Sequence, residues 1–202
     1  MLSASGVIGL AVFNKLSNSI RYLVFFSLVA GVTELVTYVL FINKVNNLLL
    51  FYIYPPVEFL ILGLLYRKSL GKQYYSALNW TILFYLCFSL LLVVFFQSNN
   101  PFNTYGRSLE NLLLVGLALL YFFNQLSYES EFPALSQPLF WINVGVLIYF
   151  SVNLLFFSMN NYLLKYFSLE ENQAFWGFHA ILSLFQYICF SLAILIEWKN
   201  KK

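Results

Sequence analysis

Ionisable side chains interrupt the apolar runs of this chain. Glu34 and Glu58 each lie inside such a run, and His179, the single histidine, lies inside another. A carboxyl group can move a proton, bind a cation or act as a general acid or base, with histidine as a common counterpart. Because an ionisable group inside a membrane is expensive, it indicates a functional site by default.

The stretch 46–67 combines Glu58 with two prolines. Pro55 and Pro56 remove two backbone donors, and a bilayer offers no water to the groups left unpaired. We therefore expect a kink or an unwound turn at residues 53–56, with the helix restarting at Val57. Irregular backbone at this depth usually lines a cavity. Either Glu58 is protonated there, or a neighbouring donor or a bound cation keeps it ionised.

Six apolar segments are long enough to cross a bilayer, which takes about 20 residues. They are predicted at residues 20–41, 46–67, 76–96, 106–126, 139–158 and 172–198. The run 2–13 is shorter and predicts an interfacial or partly inserted helix, with a full span as the alternative. The predicted fold class is all-α, a polytopic transmembrane helical bundle of six spanning helices, or seven if residues 2–13 insert.

The composition predicts one integral membrane domain over residues 1–202, with a short apolar segment at 1–18 and the bundle at 20–198. Of the 202 residues, 61% are hydrophobic and 9% are charged, whereas about a quarter are charged in soluble domains. The net charge of +3 is too weak and scattered for a nucleic-acid surface. The predicted partners are the lipid bilayer and a small-molecule or ion ligand, without nucleic acid.

The basic residues predict the orientation. Of the 11 lysines and arginines, Lys44, Arg107 and Lys165 fall on one side of the membrane and the other eight on the side of the C-terminus. Cytoplasmic loops carry the excess of basic residues. We therefore expect a cytoplasmic C-terminus in a bacterial cytoplasmic membrane. The side that carries Lys44 is called the predicted outer side below.

Polar groups from several segments fall in the predicted outer half. At 1.5 Å per residue, Asn153, His179 and Glu34 lie roughly 8, 9 and 10 Å below the outer interface. Glu110 and Glu58 lie at about 6 and 15 Å. This predicts a polar cavity open toward the outer face. The candidate ligand-binding or proton-handling residues are Glu34, Glu58, Tyr54, Asn153 and His179, and no metal site or catalytic residue is assigned.

Several of these residues also have a structural interpretation. Glu58 can satisfy backbone groups that the prolines leave free, and His179 can be an ordinary interior residue. Gly145 lies in a stripe of every fourth residue that ends at Asn153, and such a stripe is typical of close helix packing. Arg107 and Glu110, three residues apart, predict an ordinary ion pair near the interface.

The leading hypothesis is a transporter-like or sensor-like module for a small ligand or protons. One alternative is a membrane-embedded enzyme acting on a lipid, with Glu58 or Glu34 as acid or base and His179 as counterpart. Another is a structural or accessory subunit. The chain has no aspartate and one histidine, which argues against metal-dependent hydrolysis and aspartyl proteolysis. An enzyme is the less favoured hypothesis, and no cofactor is predicted.

Residues of two segments resemble a group of known proteins. They are Asn46, Asn47, Tyr54 and Glu58 in the second segment and Trp141, Tyr149 and Asn153 in the fifth. Through them the chain resembles small uncharacterised polytopic membrane proteins of bacteria. The resemblance implies a multi-pass membrane protein and brings no activity with it.

Overall fold

The structure, a computed structural model, describes residues 4–96, 103–127 and 133–201. Its helices are α1 (Ala4–Ala11), α2 (Asn18–Ile42), α3 (Leu50–Ser69), α4 (Tyr75–Phe96), α5 (Thr104–Ser127), α6 (Pro138–Tyr166) and α7 (Leu169–Asn200). No strand occurs among the described residues. Helices α2 to α7 account for six segments long and apolar enough to cross a membrane. The predicted all-α polytopic bundle is thereby confirmed.

The short helix α1 does not span the bundle. Its eight residues extend about 12 Å, whereas the hydrocarbon core is about 30 Å thick. It runs antiparallel to α2, because Ser5 hydrogen-bonds to Ser27 while Gly9 faces Val24. A Cβ atom on Gly9 would lie 2.4 Å from Val24 Cγ2, so only glycine permits this approach. Within the described residues, the alternative of a seventh span at 2–13 is therefore wrong.

The apolar core lies in the predicted inner half of the bundle. Its residues come from the earlier turns of α2, α4 and α6 and from the later turns of α3, α5 and α7. Representative members are Leu23, Leu65, Ala118, Ile142 and Ile194. A buried hydrogen bond of 2.7 Å from the Tyr66 hydroxyl to Asn143 Oδ1 joins α3 to α6 in this half. The outer half is packed differently, with polar groups among aromatic rings.

Helix α6 approaches α7 closely at Gly145. A Cβ atom there would lie 3.0 Å from Cys189 Cβ and 3.3 Å from the Phe190 ring. Small residues allow helix backbones in membranes to come together in this way. The predicted close approach at Gly145 is confirmed.

Helix α3 is continuous through both prolines. It begins at Leu50, four residues later than predicted, so Pro55 and Pro56 occupy its second turn. Pro55 cannot donate to the Phe51 carbonyl one turn back. The side chain of Asn103 takes over this role, with Nδ2 donating to the Phe51 carbonyl at 3.2 Å. The predicted unwound turn with a restart at Val57 is therefore wrong, whereas a kink stays a prediction.

The same asparagine fixes the start of α5. Asn103 Oδ1 accepts a hydrogen bond of 3.0 Å from the Gly106 backbone, which is the bond of an N-cap residue to the third helical residue. A Cβ on Gly106 would lie 2.4 Å from Asn103 Oδ1, so a side chain there would displace the Asn103 amide from its present position. Helix α5 thus begins at Thr104 rather than 106. Of the predicted loop 97–105, residues 97–102 lie outside the described part of the chain.

Candidate functional site

A guanidinium and two carboxylates form a buried cluster between α3 and α5, called the Arg107 cluster below. Arg107 Nη1 lies 2.6 Å from Glu58 Oε2 and 3.1 Å from Glu110 Oε2. The three side chains are 11%, 2% and 0% exposed, in the order Arg107, Glu58 and Glu110. The predicted inward orientation of Glu58 is confirmed. The predicted Arg107–Glu110 pair is confirmed too, but its ordinary interfacial character is wrong, because Glu110 is fully buried and Arg107 also holds Glu58.

The true helix starts explain why these side chains meet. Glu58 lies eight residues after Leu50 and Glu110 six residues after Thr104, or about 12 and 9 Å along their helices. The depths expected from sequence placed the two carboxyls about 9 Å apart. Errors of two to four residues in the helix starts therefore hid the pairing of Arg107 with Glu58.

The Arg107 cluster has an unbalanced formal charge. Two ionised carboxylates and one guanidinium sum to −1, and Glu110 Oε1 and Arg107 Nε have no hydrogen-bond partner among the described residues. An excess charge away from water is costly, and breaking a buried pair is costlier still. A shared proton or a nearby cation is therefore needed to balance the cluster.

A cavity of about 400 Å³ opens beside the Arg107 cluster, at the predicted outer ends of α2, α3, α5, α6 and α7. Much of its lining is aromatic: Tyr38, Phe41, Phe51, Tyr54, Tyr149, Phe157, Trp176 and Tyr187. Its polar lining comprises Thr33, Glu34, Thr37, Asn47, Arg107, His179 and Ser183. A concave space of this size, with a few convergent polar groups, suits a small organic ligand.

Arg107 forms the wall that the cavity shares with the buried cluster. Its guanidinium carbon lies 5.2 Å from the centre of the Tyr54 ring and 5.4 Å from that of Phe157, within the range of cation–π contacts. Arg107 and Tyr54 line the cavity, whereas Glu58 and Glu110 lie behind them. A ligand would therefore meet the carboxylates of the cluster only through Arg107 and Tyr54.

Glu34 presents its carboxyl group directly to the cavity. It is an exposed residue of α2, on the face that also carries Ala30, Thr37 and Tyr38. The Tyr187 hydroxyl of α7 donates to Glu34 Oε1 at 3.3 Å. This contact spans the opening between α2 and α7 and orients the carboxyl group.

His179 lies on the α7 wall of the cavity. Its Nε2 is 3.3 Å from the Tyr149 hydroxyl. The rings of Phe156, Phe157 and Trp176 surround it at centroid distances of 5.7, 5.8 and 5.7 Å. The imidazole is thus packed as part of the aromatic wall, with one hydroxyl as its polar neighbour in these contacts.

Asn153 lies apart from the main cavity. It borders a smaller apolar groove of about 290 Å³ between α6 and α7, which His179 also lines. Asn153 is 1% exposed, and neither polar atom of its amide has a hydrogen-bond partner among the described residues. The structure therefore brings Glu34, Tyr54 and His179 to one cavity. Glu58 lies behind the wall of this cavity, and Asn153 borders the smaller groove instead. Their functional roles stay predictions.

Sequence reasoning missed Arg107 as the centre of the site. A signal was present, since Arg107 precedes Glu110 by three residues near the start of an apolar segment and had no assigned role beyond that pair. On α7 it predicted His179 but missed Trp176 and Tyr187, which follow helical spacing with His179. Among the described residues, no three His, Cys, Asp or Glu side chains are grouped so that they could hold a metal ion.

The fold and this site define a multi-pass integral membrane protein with an internal cavity of mixed polar and aromatic lining. No family model, curated protein or solved structure matches the chain.

Proposed function

We propose that this protein binds a small ligand in the cavity beside Arg107, as a transporter-like or sensor-like module of a bacterial cytoplasmic membrane. The observation that carries the proposal is the cavity of about 400 Å³ with Glu34, Arg107 and His179 in its walls. Binding sites of membrane proteins are commonly built from polar groups at this depth, between helices that enclose a space. The basic residues of the sequence support entry from outside.

The charge pattern favours a binding role over that of a structural subunit. A subunit without a site needs its interior carboxyls individually paired, since each unpaired charge destabilises the bundle. Here Glu58 and Glu110 share one guanidinium. Such an arrangement costs stability, which ligand binding explains better than packing does.

The contacts of the carboxyls favour binding over lipid chemistry. An acid–base pair would set a carboxyl against His179. Instead, Glu58 contacts Arg107, Glu34 contacts Tyr187, and His179 contacts Tyr149. The polar groups thus lie on separate walls, where they can surround a ligand.

A cavity-filling variant tests this function. Purified wild-type protein is screened against small polar metabolite-like molecules for ligand-induced thermal stabilisation. Thr37→Phe adds a ring inside the cavity, whereas Val36→Phe, the matched control, adds it at a neighbouring exposed position outside the lining. We expect a stabilising ligand to lose its effect on Thr37→Phe and to keep it on Val36→Phe. Equal stabilisation of both variants would place binding outside the cavity and contradict the proposal.

Cysteine labelling of intact cells tests the side of entry. In a background with Cys87→Ala and Cys189→Ala, we expect a membrane-impermeant maleimide to label Val45→Cys and to leave Lys68→Cys unlabelled. Lys202, expected on the same side as Lys68, lies outside the described residues. Labelling of Lys68→Cys alone would reverse the orientation and place the cavity on the cytoplasmic side.

A further inference from the structure

We propose that the ligand of the cavity is an organic cation, a protonated or quaternary amine that carries apolar groups. This inference rests on the proposed binding function and names the chemical class that the site would take. Three properties of the described residues support it. They are the net formal charge of the predicted outer half, the pairing of Arg107 with two carboxylates, and the aromatic lining of the cavity.

The predicted outer half has an excess of negative charge. Its acidic residues are Glu34, Glu58, Glu110, Glu170 and Glu171, and its basic residues are Lys44, Arg107 and Lys165. Five acidic against three basic groups leave two formal negative charges there, although the whole chain carries +3. A cleft with low-dielectric walls concentrates such a field and attracts ligands of the opposite sign.

The positive charge on the described cavity wall, that of Arg107, is smaller than the combined formal charge of its two carboxylate partners. Among the described lining residues, Arg107 is the only lysine or arginine. Its guanidinium lies 2.6 and 3.1 Å from the carboxylates of Glu58 and Glu110. The cluster therefore offers no net positive charge to an anionic ligand. Where no shared proton balances the cluster, its formal charge of −1 favours a cation in the adjoining space.

Aromatic rings in the same lining complete a site for a cation with apolar substituents. Tyr38, Tyr187, Phe51 and Trp176 line the cavity together with Glu34. The last two rings pack edge to face, with centroids 6.3 Å apart. Aromatic faces attract ammonium groups through their quadrupole, and sites for quaternary amines are often built from such rings.

The lining also distinguishes an organic cation from a metal ion. Calcium takes six to eight oxygen ligands at short range, and no suitable group of side chains is present among the described residues. The volume of about 400 Å³ far exceeds that of a bare ion. An amine with aryl or alkyl groups uses both the carboxylate and the rings.

Three probes of similar shape and different charge test the proposal. They are benzyltrimethylammonium, its uncharged isostere neopentylbenzene, and the anion phenylmethanesulfonate. The reporter is the fluorescence of Trp176, which lines the cavity, in full-length purified protein with Trp80, Trp141 and Trp198 replaced by phenylalanine. We expect saturable binding of the cation, with affinity roughly tenfold or more above that of the isostere, since a desolvated cation–π contact alone supplies about that factor.

Charge-removing variants assign the effect to Glu34. Glu34→Gln keeps the shape of the side chain and removes its charge, and Glu170→Gln makes the same change at an exposed position outside the cavity. We expect Glu34→Gln to weaken binding of benzyltrimethylammonium roughly tenfold and to leave neopentylbenzene unchanged. Glu170→Gln should bind both probes like the wild type. If both variants weaken binding of the cation equally, the long-range electrostatic field of the outer half selects the cation rather than Glu34. That result would overturn the proposed site.

The outcomes separate this inference from the proposed function. If the isostere or the sulfonate binds as well as the cation, and Thr37→Phe abolishes that binding, the cavity is a ligand site but its preference for cations is disproved. If all three probes fail to bind while another ligand found in the screen is blocked by Thr37→Phe, the cation class is again disproved and the binding function stands. If no ligand responds to Thr37→Phe, both proposals fail.

Discussion

The interface between α2 and α7 is packed differently in the predicted inner and outer halves of the bundle. In the predicted inner half, α1 packs against both helices, Ser5 hydrogen-bonds to Ser27 at 3.0 Å, and Phe26 packs on Phe190 with ring centroids 5.6 Å apart. In the outer half the same two helices line the cavity, where the bond from Tyr187 to Glu34 joins them.

This difference separates stability from function within one pair of helices. Apolar packing in the inner half holds the bundle together through dispersion contacts, which require dense, complementary surfaces. The outer half keeps an open space by lining it with rigid rings and by fixing its polar groups on one another. A cavity lined by charged groups and hydroxyls can hold water until a ligand displaces it.

The largest expected effect concerns the cluster that supports the open half. Arg107→Met leaves Glu58 and Glu110 buried without their guanidinium. We expect a loss of about 3–5 kcal/mol in the free energy of unfolding, as for other buried pairs that lose one partner. Chemical denaturation of purified protein in detergent measures it.

A compensating variant shows whether charge is the cause. Adding Glu58→Gln and Glu110→Gln to Arg107→Met removes both unpaired carboxylates. Most of the lost free energy of unfolding should then return. If Arg107→Met is as stable as the wild type, the Arg107 cluster does not support the outer half, and the contrast between the halves loses its energetic basis.

The next effect concerns the junction of α3 and α5 at the edge of the cavity. Asn103→Ala removes both the N-cap of α5 and the donor to the Phe51 carbonyl. We expect a loss of about 1–3 kcal/mol, the sum of a helix cap and a hydrogen bond to a buried carbonyl. Asn103→Ser keeps an oxygen for the cap but lacks the amide donor, so it should lose only part of this.

A double-mutant cycle with Pro55→Ala isolates the role of the proline. Alanine at 55 restores the backbone donor that the Phe51 carbonyl lacks. The amide of Asn103 then becomes redundant at that carbonyl, and Asn103→Ala should cost less in the Pro55→Ala background than in the wild type. Additive effects of the two substitutions would show that Asn103 does not replace the missing proline donor.

Two glycines on the facing helices α6 and α7 should respond to alanine in opposite directions. Gly145 is tightly packed against Cys189, whereas nothing lies within 4 Å of a Cβ atom on Gly177. Gly145→Ala should destabilise by about 1–3 kcal/mol through overpacking. Gly177→Ala should stabilise by about 0.5–1 kcal/mol through helix propensity. Thermal unfolding of the two variants measures both, and equal effects would mean that α6 and α7 are packed alike along their length.

The sequence predicted the fold because membrane helices are specified by simple physics. Every backbone group must be satisfied within its segment, so length and hydropathy identify the spans. The inward orientation of Glu58 and the close approach at Gly145 followed from the same rules, since a carboxyl avoids lipid and a glycine admits a neighbour.

The site was harder to predict because it depends on contacts between segments. The prolines indicated an unwound turn, since the sequence does not show that Asn103 reaches the Phe51 carbonyl from another helix. That contact also advances the start of α5 and brings Arg107 level with Glu58. Asn153 was expected near the depth of Glu34 but lies outside the main cavity, because depth along a helix says nothing about which neighbours its face meets.

Cysteine reactivity along α2 tests the contrast between the two halves most directly. Thr37→Cys lines the cavity and Ser27→Cys lies under α1, both in protein with Cys87→Ala and Cys189→Ala and purified in lipid nanodiscs that leave both faces accessible. A water-soluble methanethiosulfonate reagent should modify Thr37→Cys rapidly in the folded protein and Ser27→Cys only after denaturation. Equal protection of both cysteines, or rapid modification of Ser27→Cys, would contradict an outer cavity above a sealed inner half.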